Sequence, residues 1–184
     1  PRLDYPLLDG VVQSCPALLL EPSRTNSLFY SEELDNSTYY THTNCTVTSA
    51  GGTAPDGSNN ARKLQDTVDT VNTTHNIQAK SAYVGTIAYD SIKTGSVFVK
   101  AGTKKFVQVR LTNLAGTFSY VMGNFDLENE AILTGASANA SDVSYDLENY
   151  GNGWYRCIVR GAWTDSSVTK TGLQVLMADK NSNS

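Results

Sequence analysis

Cysteine, charge and long apolar runs are all scarce in this chain, and each scarcity excludes a class of protein. The three cysteines, Cys15, Cys45 and Cys157, are an odd number without Cys-x-x-Cys spacing. That pattern fits neither a disulfide scaffold nor a zinc site. No apolar stretch approaches the ~20 residues that a membrane-spanning helix needs. The sequence therefore predicts no structural zinc and no membrane insertion.

Basic residues and histidines are also few. The net charge is −4, charged residues make up 17% of the chain, and no basic run is longer than a doublet such as Lys104-Lys105. Nucleic-acid binding needs clustered Lys and Arg, so we expect no nucleic-acid partner. His42 and His75 lie far apart in the sequence, and we expect both in exposed loops. No nucleophile-elbow or phosphate-binding glycine motif is present, which favours a non-catalytic protein without a cofactor.

Hydroxyl and amide side chains take the place of charge. Ser, Thr and Asn account for 53 of the 184 residues, a composition typical of extracellular all-β proteins. The length corresponds to one domain with a core of useful size. Because the chain begins with Pro1 rather than methionine, we expect it to be a segment of a longer or processed polypeptide.

Apolar residues alternate with polar ones at several places. Val107, Val109 and Leu111 share one side of a strand, and Gln108 and Arg110 share the other. The same alternation is seen in three further sets: Phe118, Tyr120 and Met122; Val143, Tyr145 and Leu147; and Tyr155, Cys157 and Val159. About nine or ten short strands with frequent turn signals favour an all-β fold, an antiparallel β-sandwich of jelly-roll type.

The chain divides into a short lead-in and one domain. Residues 1–26 are predicted to be an extended lead-in or linker, in which Leu18-Leu19-Leu20 forms an edge strand between Pro16 and Pro22. Residues 27–184 are predicted to form the β-sandwich. Asn149-Tyr150-Gly151-Asn152-Gly153 is expected to reverse the chain between two of its strands.

Several short motifs occur in a characteristic order. They are Pro1 to Tyr5, Leu18 to Asn26, Pro55-Asp56-Gly57, Ser96 to Gly102 and Gly151 to Cys157. In this order they resemble a domain of bacteriophage tail and fibre proteins, which is similar in strand plan to carbohydrate-binding modules. The resemblance implies a virion-borne sandwich in a multimeric fibre, a homotrimer, which displays or binds bacterial surface glycan. The resemblance also implies a final aromatic strand beyond Ser184, so we expect residues 27–184 to lack the last strand of the domain.

Aromatic side chains are the first candidates for a glycan site, because sugars stack on aromatic faces while amides bind their hydroxyls. The candidate carbohydrate-binding residues are Trp163, Trp154, Tyr39 and Tyr40. For both tryptophans, packing against the sheet is the alternative. Asp56 and Asn59 are candidates for a structural Ca²⁺ site, although turn chemistry at Pro55-Asp56-Gly57 also accounts for them.

Carboxylates give a third hypothesis. Asp126, Glu128 and Glu130 alternate, so on one strand they would share a side, as paired glycosidase carboxylates do. A solvated strand face is the simpler interpretation. The sequence thus favours a non-catalytic virion module that binds glycan. The alternatives are a purely structural virion protein that packs against other subunits and, third, a polysaccharide-degrading enzyme.

Overall fold

The computed structural model describes residues 2–4, 7–8, 11–12, 17–19, 25–67 and 74–178. Within these ranges the chain forms fifteen β-strands and one turn of 3₁₀ helix, Ser81–Tyr83, but no α-helix. None of the described residues belongs to a helix that could span a membrane.

Four short strands lie in the predicted lead-in. They are β1 (Arg2–Asp4), β2 (Leu7–Leu8), β3 (Val11–Val12) and β4 (Ala17–Leu19). Strand β1 pairs antiparallel with β4, and β2 pairs antiparallel with β3, so one pair is nested within the other along the chain. Leu18 and Leu19 of the predicted edge strand are therefore in a strand, and Leu20 is outside the described residues.

Eleven further strands form the remaining sheets. They are β5 (Tyr40–Thr43), β6 (Cys45–Gly52), β7 (Ala61–Asp66), β8 (His75–Ala79), β9 (Lys93–Lys100), β10 (Phe106–Ala115), β11 (Tyr120–Asp126), β12 (Ala131–Ala138), β13 (Ala140–Asn149), β14 (Trp154–Trp163) and β15 (Lys170–Ala178). A six-stranded sheet has the order β12-β11-β10-β15-β8-β5, a three-stranded sheet the order β13-β14-β9, and β6 pairs with β7. All pairs are antiparallel, which confirms the predicted all-β sandwich.

The core lies between the six-stranded and three-stranded sheets. Every second residue of β10 and β14 points inward, and the predicted inward sets Val107, Val109, Leu111 and Tyr155, Cys157, Val159 are all buried there. In β11, however, the inward residues are Val121 and Phe125. Tyr120 and Met122, which the alternation had placed with the apolar set, lie on the opposite side of this strand, and Phe118 precedes the strand and is exposed.

The β13–β14 hairpin turns where the sequence predicted. Gly151, Asn152 and Gly153 all have positive φ, at 77°, 54° and 78°. Glycine and asparagine adopt this left-handed region at least cost, which explains their use at the reversal. The turn sets the register that brings Tyr145 opposite Val159.

One inward-facing glycine allows the two sheets to approach closely. A Cβ atom on Gly161 in β14 would lie 2.8 Å from Cγ2 of Val121, a fully buried residue of the facing sheet. Val121 is β-branched and stiff, so it has little freedom to move away. By contrast, a Cβ on Gly102, in the turn after β9, would meet nothing within 4 Å.

Gly161→Ala should therefore destabilise the fold by about 1–3 kcal/mol, because the added methyl group overpacks the core. Gly102→Ala is the matched control and should change the free energy of unfolding by less than about 0.5 kcal/mol. Urea unfolding followed by tryptophan fluorescence measures both. Equal stabilities for the two variants would contradict the sheet-to-sheet packing described here.

Candidate functional site

The outward side of the six-stranded sheet carries polar side chains on adjacent strands. Strand register aligns them, together with the apolar Leu176, Ala136 and Met122, in two rows that cross the whole sheet. The first row is Thr134, Asn124, Gln108, Leu176, Asn76 and Thr43; the second is Ala136, Met122, Arg110, Gln174, Gln78 and Thr41. We call these two rows, with Tyr120 next to them on β11, the polar face. It lies on the side of the sheet opposite the hydrophobic core.

Hydrogen bonds between side chains order the first part of this face. Gln108 Nε2 donates to Asn124 Oδ1 at 2.8 Å, and Asn124 Nδ2 donates to Thr134 Oγ1 at 2.8 Å. Arg110 Nη2 donates to Gln108 Oε1 at 3.0 Å. These bonds form one continuous network across β10, β11 and β12, in which each side chain donates to the next.

Accessibility differs among the members of the polar face. Gln108, Asn124 and Gln174 are buried among their neighbours. Arg110 and Gln78 are partly exposed, as are Thr134 and Tyr120, and Thr41 is exposed. The buried amides therefore act as supports, and the partly exposed side chains are the ones that an incoming molecule would touch.

Arg110 lies in the middle of the second row. Its guanidinium lies over the Tyr120 ring, 5.4 Å from the ring centroid, and Nη2 also approaches Met122 Sδ at 3.4 Å. Its Nε is buried without a hydrogen-bond partner. Burial lowers the pKa of Arg110, but an arginine stays protonated at neutral pH. A positive charge is thus fixed on the polar face.

The second row leads to a shallow depression at the sheet edge. Gln174 Nε2 donates to Gln78 Oε1 at 3.3 Å, and Gln78 is paired with Thr41. Gln78 and Thr41 line an open depression of about 460 Å³, together with Leu114 and residues 79–82. The amino group of Lys80, at its rim, donates to the carbonyl of Ser37 at 2.6 Å.

Trp163 is not a surface residue, so it is not placed where a sugar could stack on it. Only 1% of the residue is exposed, and its indole Nε1 donates to Thr171 Oγ1 at 2.6 Å. The physical reason is strand parity: Trp163 lies four residues after Val159 and so points into the same core. The packing alternative for this tryptophan is the one that the structure supports.

Trp154 lies on the outward side of the three-stranded sheet, away from the polar face. It shares that side with Arg156, as the alternation predicted, and is half-buried. Its indole Nε1 donates to the carbonyl of Thr53 at 3.2 Å. Tyr150, on the same side of the sandwich, packs edge-on against Phe98 with 4.8 Å between ring centroids.

Tyr39 and Tyr40 occupy different environments. Tyr40 is 3% exposed and its hydroxyl donates to the carbonyl of Tyr30 at 3.1 Å, so it is a packing residue and not a sugar contact. Burial raises the pKa of Tyr40 to about 12. Tyr39 stacks on the Tyr30 ring with 3.8 Å between centroids, and Tyr83 meets it edge-on. Tyr83 is the last residue of the 3₁₀ helix, whose first two residues line the depression, so this aromatic group lies beside the depression.

Asp56 is satisfied by its own turn. One carboxylate oxygen accepts hydrogen bonds from the amide and the hydroxyl of Ser58, at 2.9 and 2.6 Å, and Gly57 has a φ of 85°. The Ser58 hydrogen bonds lower the pKa of Asp56. Turn chemistry thus accounts for Asp56, and Asn59 follows it as an exposed residue. In the described ranges no three His, Cys, Asp or Glu residues are grouped closely enough to hold a metal ion.

Asp126, Glu128 and Glu130 do not share a strand face, so that expectation was wrong. Strand β11 ends at Asp126, and the next residues form a tight turn. Asp126 Oδ1 accepts the amides of Glu128 and Asn129 at 2.9 and 3.0 Å, and its Oδ2 accepts Asn129 Nδ2 at 2.8 Å. Glu130 accepts the Tyr155 hydroxyl at 2.7 Å. Asp126 therefore caps a turn.

The histidines were also placed wrongly by the sequence. His42 and His75 lie on strands β5 and β8, not in loops. His42 Nε2 is 2.8 Å from the carbonyl oxygen of Leu34, and His75 Nδ1 is 2.9 Å from that of Asn44. Each imidazole therefore lies within hydrogen-bonding distance of a backbone carbonyl.

The polar face as a whole was not anticipated. The signal was present at Gln108 and Arg110, which the alternation placed together on the non-core side of β10. Its partners Asn124, Gln174 and Gln78 come from three other strands, and only the pairing register brings them into line. Register between distant strands cannot be derived from the spacing of residues within one strand.

Comparison with known proteins does not assign the chain to a family. No protein-family model matches it, and no curated protein is significantly similar to it. The antiparallel sandwich is compatible with a jelly roll, and this much of the likeness to phage fibre modules agrees with the structure. Any function has to be inferred from the geometry of the faces.

Asp126→Asn should lower the free energy of unfolding at neutral pH, because an amide cannot accept the same three N–H bonds. Hydrogen bonds from Asn129 and Glu128 lower the pKa of Asp126. Its stabilising contribution is therefore present above the ordinary aspartate value of about 3.9 and is lost as the pH falls below it. Urea unfolding between pH 2.5 and 7 measures this loss.

The variant should show a shallower decline in stability at acid pH than the wild type. Glu128→Gln is the matched control, because Glu128 is exposed and lies 4.0 Å from Lys105. It should follow the wild-type curve. If Asp126→Asn also follows that curve, the capping role is refuted.

Proposed function

We propose that this β-sandwich is a non-catalytic carbohydrate-binding module of the bacteriophage tail or fibre type, and that the polar face is its binding surface. The observation that carries the proposal is the ordered ladder Arg110–Gln108–Asn124–Thr134 on the side of the sheet opposite the core. A sheet that only had to be solvated would not need its amides fixed in one orientation.

Carbohydrate suits this surface for a chemical reason. A sugar hydroxyl both donates and accepts hydrogen bonds, and a side-chain amide offers both functions. The amide that a sugar can reach is that of Gln78, which is partly exposed, whereas the buried ladder amides hold the accessible Arg110 and Thr134 in place. Because the ladder already holds Gln108 and Asn124 in place, ligand binding would cost little side-chain entropy.

Tyr120 adds the apolar element that sugar recognition needs. Its ring is partly exposed, next to Arg110 on the polar face. The C–H face of a sugar ring can pack on such an aromatic ring while its hydroxyls bind the accessible polar groups of the face. Thr134 and Gln78 lie at either side, so the accessible groups extend across the sheet.

The resemblance of the sequence motifs to phage tail and fibre domains supports a place on a virus particle. We propose that the module is carried on a virion, outside the cell, in a homotrimeric fibre, together with other virion subunits, and that its ligand is bacterial surface glycan. Weak individual contacts would then act together, since linked sites raise avidity by about 10² to 10⁴.

A structural role is the second candidate, and a different surface favours it. Phe98 and Tyr150, on the outward side of the three-stranded sheet, are 41% and 50% exposed and pack against each other. Arg156 lies over the Phe98 ring at 5.9 Å. An exposed aromatic pair with an arginine is typical of the centre of a protein–protein contact. In this alternative the sandwich packs against neighbouring subunits and binds no glycan.

Tyr120→Ala should weaken glycan binding about tenfold, because it removes the aromatic surface for the sugar ring. Tyr150→Ala removes an exposed tyrosine from the opposite side of the sandwich and should leave binding unchanged. The measurement is a bacterial glycan array probed with the folded protein, followed by calorimetric titration of the best ligand.

Two outcomes would contradict the proposal. Folded wild-type protein that binds no glycan at any density would refute carbohydrate binding. If Phe98→Ser then converts an oligomer into monomers, as judged by light scattering, the structural candidate takes its place. Loss of binding in Tyr150→Ala but not in Tyr120→Ala would move the site to the other sheet.

A further inference from the structure

Arg110 carries a positive charge that no acidic side chain among the described residues balances. None of the ion pairs of the described residues includes it, and the side chains that it contacts, Gln108, Met122 and Tyr120, are all uncharged. The side chain is partly removed from water, and its Nε is buried. Charged groups in such positions are usually paired, because an unpaired buried charge costs free energy.

The other charged groups near the polar face do not supply the missing partner. Asp126 is on the same side of β11 but four residues from Met122, which is roughly 13 Å along the strand. Its two oxygens are occupied by the turn that it caps. Lys80, at the rim of the depression, adds a second positive charge. Among the described residues, the charge of Arg110 is thus left without a counter-charge.

The guanidinium also has unused donors. All the hydrogen bonds that Arg110 makes come from Nη2, and Nε is unpaired. Nη1 makes no hydrogen bond within the described part of the chain and, unlike Nε, it is not buried. Because Nε is buried, Nη1 is the donor that a ligand can reach. A carboxylate can accept a charge-assisted hydrogen bond from it, and such a pair is stronger where water competes less.

We infer that the ligand of the polar face is an acidic saccharide, and that Arg110 binds its carboxylate group. This inference rests on the proposed function, because it specifies the chemistry of the ligand at that same site. In this arrangement Gln108 and Tyr120 hold the guanidinium in place, one by a hydrogen bond and the other by its ring face. The sugar hydroxyls bind the partly exposed Thr134 and Gln78.

A matched set of glycans tests the inference. An array carries acidic oligosaccharides that contain uronic acids beside the same oligosaccharides with each carboxyl group reduced to a primary alcohol. The wild-type protein should bind the acidic forms at least about tenfold more tightly, as expected for a charge-assisted contact. The difference should shrink as the salt concentration is raised from 50 to 500 mM, because salt screens the charge pair.

Variants connect the preference to one residue. Arg110→Gln should remove the preference for the acidic forms while it leaves binding to the reduced forms, and Arg110→Lys should keep part of the preference. The control is Arg156→Gln, which changes a partly exposed arginine on the opposite sheet, 3.4 Å from Glu148. It should keep the wild-type preference. Thermal unfolding of each variant confirms that it is folded.

The outcomes separate this inference from the proposed function. Equal binding of acidic and reduced forms by the wild type would overturn the acidic ligand and leave carbohydrate binding in place. A preference that survives in Arg110→Gln would overturn the role of Arg110. Binding to neither form would overturn both, because the polar face would then bind no carbohydrate. The wild-type comparison and its salt dependence decide the question even if Arg110→Gln does not fold.

Discussion

The pairing register of the six-stranded sheet is the constraint on which the rest of the structure depends. Val109, Val121 and Val175 are buried on one side of three neighbouring strands, and this fixes where each strand can sit. Because side chains alternate, a shift by one residue would exchange every inward group with an outward one. The same register that closes the core therefore also brings Arg110, Gln174 and Gln78 into a row on the other side.

The polar face and the core are thus two results of one arrangement. Valine and leucine inside supply the burial that holds the sheet, and this rigid support gives the amides outside their fixed positions. The buried amides are paired with one another, as buried polar groups must be to avoid a large cost. Arg110 is the exception, because its buried Nε has no hydrogen-bond partner, and this exception is the reason why we propose a ligand at that position.

Much of the fold could be predicted from the sequence, because strand alternation is local information. It identified the inward residues of β10 and β14 and the reversal at Gly151–Gly153. It failed at β11, because both sides of this strand carry large side chains with apolar surface: Tyr120 and Met122 on one side, Val121 and Phe125 on the other. Only contact with the facing sheet decides which side is buried. It also failed for Asp126 and Glu130, since a turn interrupts the alternation there. The polar face depends on the pairing of six strands, and spacing along the chain does not contain that information.

The most direct test of this account is nuclear magnetic resonance of the labelled protein, read for short distances between backbone protons on neighbouring strands. The account predicts cross-strand contacts that place Arg110 opposite Met122 on one side and opposite Gln174 on the other. Contacts that instead place Arg110 opposite Val121 or Val175 would turn the guanidinium into the core, and would contradict both the sandwich packing and the polar face.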